Sequence, residues 1–73
     1  ININYSIFVE SRLKLHVYNI RGQLVNELFE GVMPAGENSV VWDAEGVSAG
    51  VYFVSMMDNS GNMKEMKKVV LLK

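Results

Sequence analysis

The side chains that could perform chemistry in this 73-residue chain are few, and their spacing matches no catalytic or metal-binding motif. The chain has no cysteine, which excludes disulfides, thiolate nucleophiles and cysteine zinc sites. Its one histidine, His16, lies in phase with Lys14 and Tyr18, and this alternation favours a solvated strand face. A lone histidine makes a poor metal site, and no motif supplies the partners of a catalytic triad.

The carboxylates closest in sequence are Asp43 and Glu45, a pair that could do acid–base work in an enzyme. They stand at a strand end beside Gly46, where aspartate favours turns. A calcium site that also used Asp58 would need several more oxygen ligands. We therefore expect no enzymatic activity, no bound metal and no other cofactor.

Charge and hydropathy limit the kinds of partner that the chain can have. The net charge is −1 and the charges are scattered, whereas nucleic-acid binders carry a basic stripe. The longest strictly apolar runs are short, and a membrane helix needs about 20 such residues, so we expect no transmembrane segment. Because the chain begins with Ile1 rather than Met, we expect residues 1–73 to be one C-terminal domain of a larger protein.

Apolar residues recur with a period of two, which predicts strands rather than helices. Leu13, Leu15 and Val17 should face the interior, as should Trp42 with Tyr52 beside it. The alternative is that the two aromatic rings form an exposed platform that stacks on sugars. The predicted strands span residues 3–8, 13–19, 23–30, 38–42, 51–57 and 63–72. Six strands at this spacing predict a sandwich or barrel.

Glycines mark the predicted turns. We expect positive φ angles or close backbone approaches at Gly22, Gly36, Gly50 and Gly61, since no helix follows any of them to cradle a phosphate. We expect the four methionines around the last hairpin to fill gaps in the core: Met56, Met57, Met63 and Met66.

The terminal stretch, residues 63–73, is rich in Met, Lys and Glu, which also form helices well. Its apolar end and the turn before it favour a strand. Lys67, Lys68 and Lys73 flank that end, where charges discourage unwanted pairing of an edge strand. Alternatively, this strand is what a receptor reads. An unpaired edge could also be covered by the parent protein or by a neighbouring copy of the chain.

Four segments together resemble a known family: residues 13–25, 34–43, 48–54 and 67–73. They carry a Val-Tyr-Asn strand with a glycine turn, a Pro-Ala-Gly turn leading to Trp-Asp, a Gly-Val-Tyr-Phe-Val strand, and a lysine-flanked apolar end. The pattern resembles the C-terminal sorting domain of the type IX secretion system. It equally resembles the immunoglobulin-like domain of the flagellar hook-capping protein.

This resemblance implies an all-β, immunoglobulin-like antiparallel β-sandwich of six or seven strands. Such domains typically need about 100 residues, so we expect a strand to be missing before Ile1. It also implies a non-enzymatic module that directs an exported cargo protein to the type IX machinery in the outer membrane. The implied partners are that machinery and an N-terminal cargo domain, and the implied location is the cell surface or the medium, reached through the periplasm.

The residues expected to contact the secretion machinery lie in or directly next to the last two predicted strands: Gly50, Tyr52, Lys67, Lys68, Val70, Leu72 and Lys73. The alternative function is a structural or accessory immunoglobulin-like domain. That domain would be a spacer like the hook-capping domain or a carbohydrate-associated module of a secreted enzyme.

Overall fold

The computed structural model describes residues 1–72, and within them the chain forms six strands and no helix. The strands are β1 (Asn2–Ile7), β2 (Ser11–Asn19), β3 (Leu24–Met33), β4 (Gly36–Val41), β5 (Gly50–Asp58) and β6 (Met63–Leu71). All six predicted strands are confirmed. The ambiguous terminal stretch is a strand because it pairs in antiparallel register with β5.

The strands form two antiparallel sheets. The smaller sheet contains β1 and β4, and the larger has the order β3-β2-β5-β6. Their apolar faces enclose one core, which confirms the prediction of an all-β, sandwich-like fold. The buried apolar residues come from both sheets: Ile3, Tyr5, Leu13, Leu15, Val17, Met33, Trp42, Tyr52, Val54, Met56 and Leu71.

The core follows the predicted alternation most closely in the two central strands. The apolar set of β2, led by Leu15 and Val17, is fully buried. Tyr52 and Val54 of β5 are buried beside it, since alternate residues of neighbouring strands share one face. Trp42 directly follows β4 and is 0% exposed, and its backbone N–H donates to the Ile1 carbonyl over 2.8 Å.

The aromatic pair predicted for the interior is there. The Trp42 and Tyr52 rings meet edge to face with centroids 5.5 Å apart, a favourable arrangement of ring quadrupoles. With 0% and 7% of their surfaces exposed, neither ring can stack on a sugar. The alternative of a carbohydrate platform built from these two residues is therefore wrong.

The predicted turns are confirmed by backbone geometry. Gly22, Gly36, Gly50 and Gly61 all have positive φ angles. In the β5–β6 hairpin, the Asp58 carboxylate accepts hydrogen bonds from the backbone N–H groups of Ser60 and Asn62, and the N···O distance is 2.9 Å in both. The Asn62 bond foremost lowers the pKa of Asp58 below its ordinary value.

Two predictions need correction. Strand β3 continues past residue 30 to Met33, because Gly31 adopts an extended conformation with a φ of 150° that only glycine accommodates well. The methionine prediction holds for Met56 but is wrong for Met63 and Met66, which are 53% and 48% exposed. The core methionine that the pattern missed is Met33.

Candidate functional site

The terminal strand β6 lies at an edge of the larger sheet and pairs with β5 alone among the described strands. An edge strand presents a row of backbone N–H and C=O groups to which another strand can pair. The register holds Leu71 opposite Gly50 and Val69 opposite Tyr52. The predicted site residues of β5 therefore lie next to β6 in the same sheet.

Successive side chains of β6 point to opposite faces of the sheet. Leu71 is buried in the core, whereas Val70 is 52% exposed and Leu72, just past the strand, is 88% exposed. Lys68 shares the outer face with these two residues, and Lys67 shares the inner face with Leu71. The two neighbouring lysines therefore lie on opposite faces of the larger sheet.

Lys67 ties β6 to the smaller sheet. Its Nζ lies 4.9 Å from the centroid of the Tyr5 ring in β1 and 4.0 Å from Oε1 of Glu65. A lysine at this distance from a ring face makes a cation–π contact. Tyr5 is 2% exposed, and burial together with the Glu65 charge raises its pKa to about 12. The inner face of β6 is thus already engaged within the domain.

Lys68 differs from Lys67 in having no ion pair within residues 1–72. The register places it in one cross-strand row with Phe53 of β5 and Tyr18 of β2. The next row contains Met66, and these apolar side chains line a shallow depression of about 330 Å³ on the outer face. An exposed cation therefore stands beside an exposed apolar surface at the open edge.

The remaining predicted site residues occupy supporting positions. Gly50 begins β5, and a Cβ there would lie 4.0 Å from the Tyr52 ring. The Tyr52 hydroxyl donates to the Ser48 carbonyl over 2.7 Å, which anchors the loop that leads into β5. Lys73 lies outside the described residues. Partner binding by the seven predicted residues stays a prediction.

The sequence reasoning missed two neighbours of the terminal strand. Tyr5 was not singled out, because its contact with Lys67 joins opposite ends of the chain and leaves no local pattern. Phe53 alternates with the buried Tyr52 and Val54, and this phase was the signal that it faces outward.

The remaining features concern metal binding, membrane spanning and the single histidine. The part of the chain that the structure describes has no group of three or more His, Asp or Glu side chains placed to hold a metal ion. Within the same residues, no helix has the length and apolar character needed to cross a membrane. His16 lies on the outer face, opposite the core set of β2, but its side chain is only 15% exposed and is not solvated as predicted. It lies 3.7 Å from a Glu27 oxygen and 3.3 Å from the Tyr18 hydroxyl.

Comparison with known proteins identifies the family of this sandwich. The sequence matches the family described as secretion system C-terminal sorting domain over residues 1–72. Searches of curated proteins and of solved structures give no significant match. The second half of the resemblance, to the hook-capping domain, stays a prediction. The match spans all six strands including the open-edged β6, and the chain belongs to the family of C-terminal sorting domains of type IX secretion.

Proposed function

We propose that this module directs the exported protein to which it is joined to the type IX machinery of the outer membrane, and that β6 is the element the machinery reads. The placement of β6 at an open edge of the larger sheet carries the second half of this proposal. Family membership over residues 1–72 supports the first half.

Recognition through an edge strand suits a signal that many cargo proteins share. Backbone hydrogen bonds supply affinity, and the side chains that alternate along the strand supply specificity. Val70 near the end of β6 and Leu72 just past it are 52% and 88% exposed. They are therefore free to enter a partner's surface, and the module itself needs no catalytic step. Its cargo would cross the periplasm and finish at the cell surface or in the medium.

A reporter export assay tests the proposal. Residues 1–73 are fused to the C-terminus of a periplasm-stable reporter in a bacterium that has the type IX machinery. We expect export of the fusion, and at least a tenfold loss with the double substitution Val70→Asp and Leu72→Asp. Because both side chains are exposed, the double variant should still fold, which circular dichroism of the purified module checks.

The matched control is the double substitution Val32→Asp and Val41→Asp, which places the same two charges at residues of β3 and β4 that are 49% and 68% exposed. Export of this control should equal that of the parent fusion. Equal export of the β6 double variant and the control would remove β6 as the recognised element. Export of the reporter without any module would contradict the sorting role and favour a structural or accessory domain.

A further inference from the structure

We infer that the partner strand that pairs with β6 carries an acidic side chain opposite Lys68, flanked on the same face by apolar side chains. This inference rests on the proposed function and specifies the chemistry of the partner. It follows from the cross-strand rows that meet the open edge on the outer face of the larger sheet.

The outer face presents three consecutive rows to an added strand. They end at β6 in Val70, Lys68 and Met66, which the register places opposite Val51, Phe53 and Ser55 of β5. A strand added to β6 would continue each row by one residue. Its outward side chains would therefore face an apolar, a cationic and an apolar neighbour in turn.

Lys68 is the lysine of β6 whose charge a partner strand would have to neutralise. Lys64 is 3.7 Å from an Asp58 oxygen, and Lys67 contacts Glu65 and the Tyr5 ring. Lys68 is exposed and has no ion-pair partner within the described residues. Opposite charges in directly facing positions stabilise a strand pair, and like charges destabilise it.

The flanking positions call for apolar side chains. Val70 is 52% exposed and Met66 is 48% exposed. An apolar side chain next to each of these two residues on an added strand would remove part of their exposed surface from water. The sequence of apolar, acidic and apolar residues at alternate positions is symmetric, so it fits a parallel or an antiparallel partner.

Synthetic peptides test this chemistry with the purified module. The probe is a short capped peptide in which Val, Glu and Val alternate with Thr, and its control replaces the Glu with Lys. Binding is followed through the backbone amide signals of the ¹⁵N-labelled module in NMR titrations, which detect dissociation constants in the millimolar range. We expect shifts along β6 and at least fivefold weaker binding of the Lys peptide.

Two variants of the module complete a charge-swap cycle. Lys68→Glu should reverse the preference, so that the Lys peptide binds more tightly than the Glu peptide. Lys68→Gln should bind both peptides alike. Equal binding of the two peptides to the parent module would overturn the inference, as would binding of neither or shifts confined to β3 or β4.

The reporter assay separates this inference from the proposed function. Lys68→Glu should lower export at least fivefold, and Arg21→Glu in the exposed β2–β3 turn supplies a control with the same charge change. Normal export of Lys68→Glu, together with failed export of the Val70 and Leu72 double variant, would overturn the acidic partner. The sorting role of β6 would then stand.

Discussion

Tyr5 should make the domain lose stability in alkaline solution. Its pKa is raised to about 12 in the fold, from 10.0 in an unfolded chain, chiefly because burial disfavours the phenolate. The native state therefore keeps a proton that the unfolded state releases. The stabilisation is complete below pH 10 and is lost as pH rises from 10 to 12.

The size of the effect follows from the two pKa values. Their difference corresponds to a loss that is about 1 kcal/mol at pH 11, about 2 kcal/mol at pH 12 and approaches about 3 kcal/mol at higher pH. A chain of this length has a free energy of unfolding on the order of 4–11 kcal/mol, so the loss is a large part of the total.

Urea unfolding followed by Trp42 fluorescence at pH 8 and at pH 11 measures this loss. The matched control is Tyr5→Phe, which keeps the ring and removes the titrating group. The Tyr5 hydroxyl has no hydrogen-bond partner among residues 1–72, so its removal at pH 8 should leave stability equal or slightly higher. The decline between the two pH values should shrink by about 1 kcal/mol in the variant.

Two results would refute this reasoning. An identical alkaline decline in Tyr5→Phe would show that other groups cause it. A titration of tyrosinate absorbance in which every tyrosine ionises near pH 10 would show that Tyr5 is not enclosed in the core beside Lys67 of β6.

Three further perturbations test the packing. Trp42→Ala should cost about 3–5 kcal/mol because the ring is fully buried, and circular dichroism should find the variant largely unfolded at 37 °C. Gly36→Ala should cost about 1 kcal/mol through backbone strain at a φ of 102°, seen as a lower urea midpoint with an unchanged slope. Asp58→Ala should destabilise the β5–β6 hairpin at neutral pH. Because the folded pKa of Asp58 is lowered, its stabilising effect is present above its ordinary pKa and is lost as pH falls, so variant and parent should converge in acid.

The sequence predicted the elements of this fold well because their signals are local. Leu13, Leu15 and Val17 alternate with polar residues, which identifies both the strand and its buried face. Glycines at the turns indicated backbone conformations with positive φ that other residues avoid, as at Gly36 and Gly61. Extended strands and tight turns depend on neighbouring residues, and a single sequence contains that information.

The candidate site was less predictable because both faces of β5 and β6 carry apolar residues. Where Phe53 alternates with Tyr52, and Met66 with Lys67, apolarity alone does not tell which set meets the core. The pairing of β1 with β4 and the contact of Lys67 with Tyr5 join distant parts of the chain. Only the three-dimensional arrangement showed that adjacent lysines have different roles.

Site-specific photocrosslinking tests most directly whether the secretion machinery reads β6. A photoreactive phenylalanine analogue replaces Val70 on the outer face of β6, or Val41 on β4, in the exported fusion. The account predicts a crosslink from position 70 to an outer-membrane component of the machinery, and none from position 41. A crosslink from position 41 with none from position 70 would contradict it.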